Sequence, residues 1–188
     1  MKSEDELVEE VLNGNHRSFE LLLQPYRQGL LNMANRMTGN LEEAKEVCQE
    51  VLIKVYKHLD KFKKGRSFKS WIYRITVNSA YDSLRKKKKY ENFVESQKKI
   101  GFSASYDPEK QLLNREIRAK IETCLRDLSP KEKATFLLRD GEGFSIEEAS
   151  EILKCSSMSV RTHLSRARKK IREQFEKINF ANTREVRR

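Results

Sequence analysis

Residues 145–172 read SIEEASEILKCSSMSVRTHLSRARKKIR. Two short amphipathic patterns lie back to back in this stretch, separated by small polar residues. In the first, Ile146, Ala149, Ile152 and Leu153 fall at helical spacing on one face. Ser145 precedes them and Glu148 follows three residues later, the start of a capping box. Lys154 to Ser157 interrupt the pattern, and either Ser156 or Ser157 has the hydroxyl to cap a second helix. In that helix Val160, Leu164, Ala167 and Ile171 recur every three or four residues. Six Lys/Arg and no acid lie between Ser157 and Arg172.

Two helices joined by a turn, the second apolar on one side and basic on the other, predict a helix-turn-helix. At about 100° per residue from Val160, Thr162, Ser165, Arg166 and Lys169 point away from the apolar stripe, with Arg161 and His163 beside them. These side-chain types read base edges and grip phosphates. A solvated basic helix on an ordinary helical domain has the same pattern, so the spacing alone leaves both readings open.

The totals narrow the class. Among 188 residues, 36% are charged and 37% hydrophobic, enough apolar material for small helical cores but not for one large one. The net charge of +11 favours a polyanionic partner. A membrane surface would satisfy the same charge, but no apolar run approaches the ~18 residues of a span, and the N-terminus MKSEDELVEE is acidic. The expectation is a cytoplasmic protein with no signal or transit peptide. Cys48, Cys124 and Cys155 are widely spaced, and His16, His58 and His163 do not cluster, so neither a disulfide framework nor a metal site is expected. There is no Gly-rich phosphate loop and no carboxylate pair beside a His, which argues against an enzyme, a cofactor or a small-molecule substrate. Seven Gly, three Pro and no alternating apolar pattern predict an all-α protein.

Along the chain, a first helix spans about residues 4–13, through Leu7, Val8, Val11 and Leu12. A longer pattern runs from Phe19 to Met37, with Pro25 inside it as a potential kink. Asn40 caps the next helix, whose buried stripe is Ala44, Val47, Val51, Val55 and Leu59, broadened by Cys48, Leu52 and Tyr56. Its early surface carries Glu42, Glu43, Glu46, Gln49 and Glu50. Helix-dipole complementation accounts for the first two; Glu46 and Glu50 lie further along and equally suit a docking face for a basic partner. Between Lys61 and Lys89 the charge reverses, with eleven Lys/Arg against Asp82 alone. Residues 61–70 read as a loop, followed by a helix from Trp71 to about Arg85. Phe62, Phe68, Trp71 and Tyr73 lie among the cations, a composition suited to single-stranded nucleic acid; Trp71 fits better as core, on a stripe with Ile72 and Ile75. Arg85 to Lys89 read as a solvated helix end that also attracts phosphate. Residues 90–107 are weaker in pattern and read as a linker with room for a helical turn in its first half. Asp107-Pro108 and Ser129-Pro130 start two further helices, and residues 179–188 read as a frayed tail.

Three stretches in this order resemble the small extracytoplasmic-function (ECF) group of bacterial sigma factors in the sigma-70 superfamily. They are NLEEAKEVCQEVLIKVYKHLDKF (40–62), SFKSWIYRITVNSAYDSLRKKKK (67–89) and LSPKEKATFLLRDGEGFSIEEASEILKCSSMSVRTHLSRARKKI (128–171). The resemblance implies two small helical domains: a sigma-2-like domain over 1–89 and a sigma-4-like helix-turn-helix domain over 108–178, joined by the 90–107 linker and followed by a disordered tail over 179–188. It implies a promoter-specificity subunit that recruits core RNA polymerase and binds promoter DNA as duplex and as melted single strand, often held by an anti-sigma factor. Carried onto this sequence, Glu46, Gln49 and Glu50 would contact the polymerase. Phe62, Lys63, Arg66, Ser67, Arg74 and Asn78 match positions in or beside the site for the minus-ten element. At the minus-thirty-five element, Arg161, Thr162, Ser165 and Arg166 would reach bases, with His163 where Arg is common, and Arg168, Lys169 and Arg172 would hold phosphates. Lys154 and Met158 stand where the family usually has Gly, Thr76 where Ala is usual, and Val51-Leu52 where an aromatic is common. A stand-alone helix-turn-helix regulator remains the alternative, although such a protein has no need for an acidic helix followed by a basic aromatic loop.

Overall fold

The computed structural model describes residues 2–95 and 120–185, with side chains for 2–91 and 120–178, and every regular element among them is helical. The chain divides into two compact units, Met1–Asn92 and Phe93–Arg188. Most of the predicted linker and the start of the helix expected from Pro108 lie outside the described residues, as do residues 186–188 of the predicted tail.

In the first unit, α1 (Glu4–Leu12) opens on a complete capping box. The Glu6 amide donates to the Ser3 hydroxyl at 3.2 Å, and the Ser3 amide donates to the Glu6 carboxylate at 2.7 Å. The long pattern predicted around Pro25 resolves into two helices, α2 (His16–Leu23) and α3 (Arg27–Thr38). Proline has no amide to donate, so the ladder stops at Gln24 and restarts after Tyr26 as a break, not a kink. Gly39 closes α3 in the left-handed region, with φ 73°. The Asn40 side chain then accepts from the amides of Glu42 and Glu43, at 2.8 and 3.1 Å, to start α4 (Leu41–Lys57). The stripe Ala44, Val47, Val51, Val55 and Leu59 is buried as its spacing predicts. Tyr56, expected to broaden it, is instead exposed.

After one turn of 3-10 helix at Leu59–Lys61, α5 runs from Phe68 to Glu95, well past the end expected near Arg85 and through residues 90–95 of the predicted linker. The five cations Arg85–Lys89 interrupt the apolar stripe, and Tyr90, Phe93 and Val94 resume helical spacing beyond them, which accords with a helical turn in the first half of the linker. Thr76, where Ala is usual, is fully buried; its hydroxyl donates back to the Ile72 carbonyl at 2.9 Å, so the extra oxygen is satisfied within the helix.

The second unit contains α6 (residues 120–126), α7 (Pro130–Phe136), α8 (Ile146–Leu153) and α9 (Ser157–Glu185). Both α7 and α8 open on capping boxes, Ser129 with Glu132 and Ser145 with Glu148. The end of α7 widens into a π-turn over Leu137–Gly141, where the Glu142 amide reaches back to the Leu137 carbonyl at 2.9 Å. The wider turn leaves Leu137 and Leu138 both buried. Helix α9 continues to Glu185, so residues 179–185 of the predicted disordered tail are helical.

Glu132 and Lys170 hold α7 to α9. The Lys170 ammonium donates to the Glu132 carboxylate at 2.7 Å, and Glu132 is 5% exposed. Burial alone would raise the carboxyl's pKa; the hydrogen bonds from Lys170 and Ser129 outweigh it, and the net direction is down. A carboxylate depressed in the folded state stabilises fully above its unfolded pKa, and that stability is lost as pH falls through the folded value. Replacing Lys170→Met strands a buried carboxylate and is expected to destabilise this unit by about 2 kcal/mol at neutral pH. Glu132→Gln is expected to make its acid unfolding limb shallower below about pH 4, as followed by circular dichroism in a pH series.

Candidate nucleic-acid interface

Three surfaces emerge from this scaffold. The first is on α4. Glu42, Glu46, Gln49, Ile53 and Tyr56 follow one another at alternating steps of four and three residues, which puts them on one ridge. Glu46 and Gln49 are exposed, whereas Glu50 sits half-buried beside the ridge and pairs with Lys54 at 2.7 Å. Ile53 and Tyr56, 55% and 46% exposed, extend the ridge with apolar surface. The sequence reading missed both as surface groups; stepping on from Gln49 by four and three would have found them. Tyr56 is held by edge contact with Phe19 at 5.3 Å and by a 3.1 Å hydrogen bond to His16 Nδ1.

The second surface is the loop between Lys61 and Phe68 and the helix it feeds. Phe62, Phe68 and Trp71 form a cluster with ring centroids 5.4–5.7 Å apart. Tyr26 joins through Phe68 at 5.7 Å, and its hydroxyl donates to Glu4. Burial and then that carboxylate push the Tyr26 phenol above its usual range. Phe62 is only 7% exposed, so it anchors the loop and its ring is not offered to a base. Trp71 is half-buried, closer to the core role its stripe indicated. Lys63, Arg66 and Ser67 are exposed, and Ser67 caps α5 by accepting from the Ser70 amide at 3.1 Å. Ser67, Trp71, Arg74 and Asn78 again step by four, three and four, so the loop runs directly into a helix face carrying an aromatic, a guanidinium and an amide. Beyond it, Arg85 to Lys89 are exposed, with Arg85 paired to Asp82 and Lys87 to Glu43 at 2.6 Å.

The third surface is α9. Ser156, the first of the two candidate caps, starts it by accepting from the Ser159 amide at 3.1 Å. Val160, Leu164 and Ala167 are buried, and Arg161, Thr162, Ser165, Arg166, Lys169 and Arg172 are exposed, as the periodicity predicts. Two expected contacts are placed otherwise. Arg168 makes a two-pronged ion pair with Asp140, Nε at 2.9 Å and Nη2 at 2.6 Å, which raises the guanidinium's pKa and fastens α9 to the π-turn. His163 lies on the shoulder of the buried stripe, half-buried, with Nδ1 enclosed and without a hydrogen-bond partner. Met158, 68% exposed in the first turn, is an apolar surface group that the sequence reading did not assign. Among the described residues, no group of His, Cys, Asp and Glu could hold a metal ion, and no helix is long and apolar enough to cross a membrane.

Comparison with known proteins matches both units. Residues 22–90 match the family described as sigma-70 region 2, and residues 118–171 match sigma-70, region 4. The RNA polymerase sigma-H factor of Pseudomonas aeruginosa is 30% identical over 178 residues, covering 90% of this chain and 92% of that protein. The ECF RNA polymerase sigma factor SigW of Bacillus subtilis is 28% identical over 176 residues, covering 89% and 94%. The chain belongs to the ECF sigma factors of the sigma-70 family. It is a promoter-specificity subunit with no reaction of its own, and the match across both units sets aside the stand-alone regulator. The fold agrees: the sigma factor RpoE of Bartonella quintana, solved in complex with the anti-sigma factor NepR, superposes with a TM-score of 0.71 at 22% identity, over 85% of this chain and 98% of that one.

The departure at Lys154 has a structural consequence. It closes α8 in the left-handed region, with φ 49° and ψ 50°, and is the single non-glycine residue at positive φ among those described. A Cβ there costs about 1 kcal/mol that glycine avoids. Part of that gain is offset by the greater freedom of an unfolded glycine. Lys154→Gly is therefore expected to stabilise the helix-turn-helix by about 0.5 kcal/mol, read as a higher denaturation midpoint in urea.

Proposed function

We propose a residue-level division of labour for this sigma factor. The α4 ridge of Glu42, Glu46, Gln49, Ile53 and Tyr56 docks on core RNA polymerase, with Glu50 at its edge. The loop cations Lys63 and Arg66, with Ser67 and the Trp71, Arg74 and Asn78 face of α5, capture the minus-ten element as a melted single strand. Helix α9 enters the major groove at the minus-thirty-five element, where Arg161, Thr162, Ser165 and Arg166 meet bases and Lys169 and Arg172 meet phosphates.

The observation that carries this reading is the sorting of charge by element. In a chain of net charge +11, the exposed start of α4 is acidic, while the following loop and the outer face of α9 are basic. An acidic ridge ending in exposed Ile53 and Tyr56 suits a protein partner, because apolar area supplies affinity and the acids orient it. Basic loops beside aromatic and amide side chains suit unpaired bases. Two modest DNA-binding units carried by one polymerase gain effective concentration that neither has alone. Work at the polymerase places the chain in the cytoplasm. A protein covering the same charged faces would silence it, as befits an anti-sigma factor like the one bound to the Bartonella relative.

Two measurements test the division. In gel filtration with bacterial core RNA polymerase, the wild type is expected to co-elute, and Glu46→Lys combined with Gln49→Lys to elute alone with an unchanged melting curve. Retained co-elution of the double variant would remove the ridge from the docking role. For duplex carrying the minus-thirty-five element, Lys169→Met is expected to lower the salt slope of binding by about 1. Arg168→Met is expected to leave that slope unchanged and to cost about 0.5–1 kcal/mol of stability, because its charge is engaged by Asp140.

A further inference from the structure

The acidic helix α1 makes contacts that the division of labour above does not use. Its five carboxylates each have a partner, and two of those partners belong to the basic loop. Asp5 Oδ2 accepts the Gly65 backbone amide at 3.2 Å, and Glu9 pairs with the Lys64 ammonium. Glu4 accepts from the Tyr26 hydroxyl, and Tyr26 packs on Phe68 at the base of the same loop. Glu6 and Glu10 close the capping box and hold Lys2 and Ser18. Gly65, at φ 74°, lies in a tight turn closed by the Arg66 amide on the Lys63 carbonyl at 3.2 Å. Asp5 therefore grips the turn by its backbone, where a side-chain change in the loop would not release it.

We propose that Asp5 and Glu9 are positioning residues that set the sequence selectivity of the minus-ten loop; this rests on the reading of residues 62–67 as part of the minus-ten site. The mechanism has two parts. The Asp5 bond fixes the turn, and so the direction in which the flanking Lys63 and Arg66 leave it. The Glu9 pair neutralises Lys64. Lys63 and Arg66 have no ion pair among the described residues and are left to face nucleic acid. A loop with three mobile cations would hold any strand by charge alone, which carries no sequence information. Held and partly neutralised by α1, it presents two cations in fixed directions, and geometry then discriminates between bases.

The test uses the full chain with bacterial core RNA polymerase on a promoter library randomised across the minus-ten element, with transcripts sequenced. Asp5→Ala removes the acceptor; Asp5→Asn keeps an acceptor oxygen and removes only the charge. The expected result is that Asp5→Ala flattens preference among minus-ten sequences about five- to tenfold and leaves preference at a randomised minus-thirty-five element unchanged, with Asp5→Asn restoring most of it. Glu9→Gln is expected to raise activity on non-preferred minus-ten sequences. Melting curves of the variants exclude unfolding as the cause. Equal shifts on every template in Asp5→Ala and Asp5→Asn would reduce α1 to a general electrostatic effect and overturn the proposal. Lys63→Ala with Arg66→Ala separates the layers. If that pair loses minus-ten preference while Asp5→Ala keeps it, positioning by α1 is wrong; if neither alters it, the loop is not the minus-ten site.

Discussion

The first unit depends on Phe68. It is fully buried where the basic loop turns into α5, touching Phe62 on one side, Trp71 on the next turn and Tyr26 across from α3. A stretch that places Lys61, Lys63, Lys64, Arg66 and Lys69 within nine residues repels itself and would be mobile if left to its own charges. Apolar burial at both ends of the loop opposes that repulsion, at about 2–3 kcal/mol for each fully buried phenylalanine. Ion pairs at the surface cannot do so alone, since each is worth about 0–1 kcal/mol. The aromatics that a composition argument would hand to nucleic acid are thus the anchors that let the cations be displayed.

The helix-turn-helix handles an equal density of charge differently. Of the six cations between Ser157 and Arg172, Arg168 turns to Asp140 and Lys170 to the buried Glu132. These two pairs tie α9 to both ends of α7, and the Lys170 pair adds to the capping box that starts that helix. Arg166, Lys169 and Arg172 stay on the solvent side and carry no internal bond of comparable geometry. A recognition helix must hold its axis while offering charge outward; dividing its cations between the two tasks meets both demands.

Much of this was legible in the sequence because it is local. Capping boxes at Ser129 and Ser145, the cap at Asn40 and the stripes of α4 and α9 depend on residues within one or two turns, and the structure places them as their spacing indicates. What was not legible depends on distant partners or on the lack of a stripe. Asp140 lies 28 positions from Arg168, so nothing near Arg168 marks it as engaged. Phe62 is buried by Phe68 and Trp71 across a loop whose course the sequence does not specify. The five consecutive cations Arg85–Lys89 interrupt the apolar stripe of α5, and residues 182–185 add no apolar position to that of α9, so the periodic trace weakens before either helix ends. The family resemblance supplied the functional surfaces, yet it carried Phe62, His163 and Arg168 over by position, and position does not report burial or pairing.

The same side-chain type therefore has opposite fates in one small chain, and the deciding factor is the nearest carboxylate. Lys64 and Arg168 lie beside Glu9 and Asp140, and their charge is spent within the fold; Arg66 and Arg166 have no such neighbour and face outward. Acids in a DNA-binding protein are usually read as repulsive to the partner. Here their placement sorts many of the cations: those held closely by an acid stabilise the fold, and others face outward, among them Arg161 and Lys169, which lie 3.9 Å from Glu147 and Glu173. Net charge inclines the chain to meet a polyanion. The distribution of twenty-eight acids among thirty-nine cations determines which atoms do so.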